Sequence, residues 1–180
     1  MGATDRAPWA ERDRRPFAWL SVDEDENDPT VLLTYLAAAL DRIESIDPAV
    51  FDALASPGAS TTAAVVLRLG ASLSATAAPV VVVLDDVHLL QNRECLDAVA
   101  ALIEDLPPGS QLALAGQAEP PLPLAGLRAR GRVLEIGRED LAMRSREASL
   151  LLQAADVDLS GLDADELVRR TAGCRPRSRR

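Results

Sequence analysis

The run Val80-Val-Val-Val-Leu84-Asp85-Asp86-Val87-His88 decides how this chain folds. Four valines and a leucine follow one another without polar alternation. Unbroken β-branched runs of this length belong to strands buried on both faces of a parallel sheet. Two carboxylates end the run, and in an open parallel sheet ligands bind outside the carboxyl ends of the strands. A buried strand ending in acids therefore sets them at a binding rim. In nucleoside triphosphatases this is the Walker B arrangement, in which one acid holds the magnesium hydration shell and its neighbour orients or deprotonates the attacking water. Acids also end many strands for solubility alone, and the run by itself leaves that reading open.

The flanks supply alternating helices and strands. Phe17–Val22 is a short apolar run that fits a buried strand, and Asp23, Glu24, Asp25, Glu26 and Asp28 follow it as a solvated loop. Asp28 can cap a helix whose first turn holds Pro29, with Val31, Leu32, Tyr35, Leu36, Ala39, Leu40 and Ile43 at helical spacing. A break at Ser56–Ser60 precedes a helix over Thr61–Ser74 with Val65, Val66 and Leu69 inward. Residues 93–106 are amphipathic and stop at Pro107-Pro108-Gly109, before a strand at Gln111–Ala115. Pro120, Pro121 and Pro123 force a loop, then come a short helix near Leu124–Arg130 and a strand at Val133–Ile136. Ser145 can cap one closing helix, packed through Ala148, Leu151 and Leu152; Asp163 and Glu166 form a capping-box pattern for a second. This alternation predicts an α/β fold with a mainly parallel sheet.

Composition narrows the chemistry. A chain of 180 residues suits one domain, or a domain plus a small appendage, and can bury roughly 70% of its unfolded surface without a staple. The net charge of −9 argues against a surface that grips nucleic acid or anionic lipid. All 19 basic residues are Arg. The lack of lysine excludes Schiff-base catalysis and the phosphate lysine of a P-loop, and with it a phosphoacceptor receiver domain. Cys95 and Cys174 stand apart with no signal peptide, which predicts reduced thiols and a cytoplasmic location. No apolar stretch is long enough to cross a bilayer. His88, the single histidine, has no Cys or His near it to build a metal site, and no GxSxG elbow offers a nucleophile for a hydrolase triad.

Four segments occur in order: WLSVDEDENDPTVLLTYLAAAL (19–40), PVVVVLDDVHLL (79–90), LIEDLPPGSQLALAGQAEPPLPLAGLRARG (102–131) and LEIGREDLAMRSREASLLL (134–152). Together they resemble the ATPase module of the large MalT-like regulators of the LuxR family, from about Phe17 to Gly173. The resemblance implies a three-layer, P-loop NTPase-like domain of the STAND kind in which Val80–Leu84 is the Walker B strand. It further implies that Asp85 is the magnesium-associated acid, acting indirectly, and that Asp86 positions water. Mg-ATP is then the implied cofactor. Gln117 falls where the family carries an arginine that senses the γ-phosphate, and an amide brings no positive charge to that role.

Two departures shape the expectation. The GxxxxGK[ST] loop and its strand, which in the family precede the WLS segment, are not found; the resemblance places that strand between Gln111–Ala115 and Val133–Ile136. The expected sheet therefore lacks its first strand, with lowered stability, and the chain reads as truncated at both ends. The expected organisation is an irregular segment over 1–16, a partial ATPase-like domain over 17–137, a helical continuation over 138–173 and a basic disordered tail over 174–180. The functional expectation is a fragment of a regulator's nucleotide switch that binds ATP weakly or not at all and does not hydrolyse it alone. The expected partners are the other regions of the regulator or a related regulator, with no direct DNA binding and no membrane. The alternative is a non-enzymatic interaction module acting on intact regulators.

Overall fold

The computed structural model describes residues 13–23, 25–55, 61–142, 144–154 and 166. The chain divides into two compact units, Met1–Pro123 and Leu124–Arg180.

In the first unit three strands form a parallel sheet in the order β1-β2-β3: β1 is Phe17–Ser21, β2 is Val81–Asp85 and β3 is Gln111–Leu114. The valine run thus becomes the central strand, and Val80 to Leu84 are each 2% exposed or less. The register sets Phe17 against Val81 and Ser21 against Asp85 on one side, and Val81 against Gln111 on the other. Parallel neighbours need long crossovers. Helices α1 (Pro29–Asp41), α2 (Ala49–Leu54) and α3 (Thr61–Ala75) join β1 to β2, and α4 (Arg93–Glu104) joins β2 to β3.

Each helix is built as its sequence dictates. The Asp28 carboxylate accepts the N–H groups of Thr30 at 2.8 Å and Val31 at 3.1 Å, with Pro29 in the first turn where its missing N–H costs nothing. Asp47-Pro48 repeats the device before α2, where Asp47 Oδ1 accepts the Ala49 N–H at 2.9 Å. At α4 Asn92 is the cap, accepting the Glu94 N–H at 2.9 Å. α1, α3 and α4 pack on one another, and α1 also meets β1. Leu32, Leu36 and Leu40 of α1, Leu69 and Leu73 of α3, and Val99 and Leu102 of α4 are all buried. Tyr35 lies on the apolar spacing of α1 yet is 52% exposed, because Leu33 takes the buried side instead.

At the amino ends of the strands the Arg15 guanidinium donates to the Gly109 carbonyl at 2.7 Å and to Gln111 Oε1 at 2.6 Å. It also binds Asp13, whose carboxyl it holds at about 2 by that side-chain hydrogen bond. The segment before β1 is thereby tied to the start of β3, two strands away.

In the second unit the described helices are α5 (Ala125–Ala129), α6 (Arg138–Leu141) and α7 (Ser145–Ala154). Two expectations are corrected here. Val133–Ile136 is not a strand: the backbone there is irregular, and Leu134 is 85% and Ile136 59% exposed. A strand exists only by pairing, and among the described residues no strand pairs with this segment. Ser145 is the first residue of α7 and not its cap; the preceding Arg144 N–H is satisfied by the Glu147 carboxylate at 3.0 Å. The second closing helix, Glu166 apart, lies outside the described residues, as do Cys174 and the tail over 174–180. Among the described residues no helix is long and apolar enough to cross a membrane.

Candidate functional site at the carboxyl end of the central strand

Buried β2 delivers Asp85 to the carboxyl rim of the sheet. The Asp85 carbonyl accepts the Val22 N–H at 2.9 Å, which carries the pairing with β1 one residue past the strand. Its carboxylate Oδ1 accepts the N–H of the next residue, Asp86, at 2.9 Å. That bond accompanies a sharp change of direction. Asp86 has φ 55° and ψ 30°, the left-handed conformation, and is the one non-glycine residue with positive φ among those described. This region costs most L-residues about 1 kcal/mol, and Asp is among the few that enter it with local hydrogen bonding. A 3-10 turn over Val87–Leu89 follows, and the Val87 N–H donates to the Ala115 carbonyl at 2.9 Å. The backbone after β2 is therefore fastened to β1 on one side and to the end of β3 on the other.

Asp85 and Asp86 are both half-buried. Gln117 lies in the exposed bend after β3, next to Gly116. Gly116 packs on His88: a Cβ there would stand 3.2 Å from the His88 backbone nitrogen and 3.4 Å from its Nδ1. His88 Nδ1 faces Asp86 Oδ1 at 3.8 Å. The two acids and the turn that carries Gln117 thus share one end of the sheet.

The acidic stretch after β1 borders the same rim, and one of its members is not solvated as expected. Glu26 is 6% exposed, and its Oε2 accepts the Asp23 N–H at 2.7 Å. Burial pushes the Glu26 carboxyl above its ordinary range, with the Asp23 carboxylate adding to the shift. Beside it Asn27 Oδ1 accepts the N–H groups of Gln91 at 2.9 Å and Asn92 at 2.8 Å, while Asn92 Nδ2 donates to the Asn27 carbonyl at 3.0 Å. This clasp joins the loop after β1 to the loop after β2, and sequence reasoning missed it. The available signal was Asn92, in cap position ahead of an amphipathic helix. Cys95 is fully buried against the Glu26 carbonyl, and burial raises its thiol to about 11, so it stays protonated at neutral pH.

The arrangement is one-sided chemically. Among the described residues no group of three or more His, Cys, Asp or Glu side chains is placed to hold a metal ion. For a triphosphate the residues present supply only the acidic part of a site: the sequence holds neither a lysine nor a GxxxxGK[ST] loop to grip the phosphates.

Fold and rim together define a parallel α/β domain of the P-loop-like kind, with paired acids ending its central strand. The chain is similar to the HTH-type transcriptional regulator MalT of Yersinia enterocolitica, with 31% identity over 79% of this chain and 16% of that protein. Its counterpart in Serratia proteamaculans is 32% identical over the same shares, and that of Vibrio campbellii 28% identical over 90% of this chain and 18% of that protein. Over the matched part the chain is similar to these MalT regulators. No family model matches the chain. It spans between 16% and 18% of the length of these curated relatives.

Proposed function

We propose that this chain supplies the Walker B half of the nucleotide switch of a MalT-like, LuxR-family regulator and does not hydrolyse ATP by itself. The observation that carries the reading is the delivery of Asp85 and Asp86 by a fully buried central strand to the carboxyl rim of a parallel sheet. In this reading Asp85 would meet the water shell of a magnesium ion and Asp86 would orient a water molecule. Mg-ATP, when bound, supplies the phosphoryl group on which such a switch acts. Gln117 stands at the sensor position and offers an amide hydrogen bond without charge. The regulatory role follows from the relatives, named as HTH-type transcriptional regulators. A cytoplasmic location accords with it, and no direct DNA contact is assigned to these residues.

The test is magnesium-dependent binding of a fluorescent ATP analogue, followed by anisotropy, with turnover measured in parallel. The expected result is weak binding that requires magnesium and is lost in Asp85→Ala, with no turnover. Turnover that persists in both Asp85→Ala and Asp86→Ala overturns the reading in favour of another hydrolase.

A second reading, an interaction module acting on intact regulators, is favoured by one observation: β3 pairs on one side only among the described residues. Nucleotide-independent, saturable binding to an intact relative distinguishes it.

A further inference from the structure

His88 is the sole histidine of the chain, and its ring is placed in an unusual way. The Nδ1 atom is buried from water and has no hydrogen-bond partner among the described residues. Leaving a buried polar atom unpaired costs about 1–3 kcal/mol, so a folded protein that does so calls for an explanation at that atom. The facing group is Asp86 Oδ1, 3.8 Å away. That distance is roughly 0.9–1.1 Å longer than a charge-assisted N–H···O bond. On the other side Gly116 lies close enough that any side chain there would press on the His88 backbone and ring. The ring is thus held between the second acid of the rim and the turn carrying Gln117. Asp85 and Asp86 are the charged groups at the end of β2, and Glu119 is the first acid after β3.

We propose that His88 is the positioning residue of Asp86: its Nδ1–H is the donor that turns the Asp86 carboxylate, and Gly116 is the glycine that lets the ring sit there. An imidazole keeps its proton on whichever nitrogen has an acceptor, so Asp86 selects the Nδ1–H form. The bond closes by a small rotation of Asp86, and closing it links the acid to the turn after β3. A change at either end is then felt at the other. This deepens the switch reading and depends on it for functional meaning. The geometry itself is tested without nucleotide, so a failure here is distinct from a failure of ATP binding.

With one histidine in the chain, long-range ¹H–¹⁵N correlation spectra of the full-length protein report its tautomer without assignment. The expected result at neutral pH is protonated Nδ1 and bare Nε2. Asp86→Gly removes the carboxylate and suits the left-handed backbone, so this variant retains the fold and its ring reverts to the Nε2–H form. Asp85→Asn is the control and leaves the tautomer unchanged. In His88→Asn, whose Nδ2 can take the place of Nδ1, the backbone amide shifts of Gly116 and Gln117 stay close to those of the parent; in His88→Ala they move. An Nε2–H ring in the parent protein, or an Nδ1–H ring that survives Asp86→Gly, overturns the proposal.

Discussion

Single side chains at the rim work against one another, and Glu26 shows it most directly. Its carboxylate is buried and its proton affinity is raised, chiefly by loss of water and then by Asp23. A carboxyl whose folded value lies above its unfolded one favours the fold below its ordinary range, and that advantage is lost as pH rises through the raised value. At neutral pH the Glu26 charge is therefore a cost. Glu26→Gln keeps an oxygen for the Asp23 N–H and adds a donor that can meet the Asp23 carboxylate. The expected outcome is stabilisation at pH 7 by about 1 kcal/mol, with the gain vanishing near pH 4, read from urea melts at both pH values. Destabilisation at both values would mean that the charge itself holds the loop. Nothing in the sequence marks Glu26 apart from its acidic neighbours; its burial arises from the fold of the loop over α4, where Cys95 meets its carbonyl. Asp28 was legible because capping is local: its bonds to Thr30 and Val31 lie within three residues of chain.

At the scale of elements, legibility follows how much of an element's stability is carried in its own residues. β2 was read directly because five consecutive β-branched or aliphatic residues have few alternatives to a buried strand. α2 was missed, since six residues hold too little periodicity to stand out, although Asp47-Pro48 announces it just as Asp28-Pro29 announces α1. The reverse holds at Val133–Ile136, where the β-branched ends of Val-Leu-Glu-Ile suggest a strand and the backbone stays irregular. Strand propensity describes fit to a pleated surface and supplies no partner. The same dependence makes β2 the element on which the rim rests. Leu84 is fully buried and immediately precedes Asp85. Leu84→Ala is expected to cost about 3 kcal/mol in a urea melt, because the sheet and helices around it can only partly close the cavity. A loss below about 1 kcal/mol would show a core that collapses freely around β2, and with it a rim not fixed by its strand.

For the first unit as a whole, the open side of β3 sets the behaviour in solution. The N–H groups of Gln111 and Ala115 donate to the carbonyls of Val80 and Leu84, at 3.0 Å and 2.9 Å. Backbone direction alternates along a strand, so the N–H and C=O groups of Leu112 and Leu114 point away from β2. No other strand pairs there among the described residues. Natural edges are blunted by lysine, proline or a bulge, and the stretch Gln-Leu-Ala-Leu has neither lysine nor proline. Unpaired backbone also weakens the sheet, so the chain is expected to unfold in urea with a low midpoint and to self-associate as concentration rises. Leu112→Lys separates these effects. Leu112 is only half-buried, and a lysine can run its stem along the apolar surface while keeping its ammonium in water. Sedimentation velocity over a wide range of concentration should show association of the parent chain and a monomer for Leu112→Lys, with the unfolding free energy in urea changed by about 0.5 kcal/mol or less. A parent chain that remains monomeric and melts cooperatively at a high midpoint would mean that the edge is already protected, and the interaction reading would lose its one structural support.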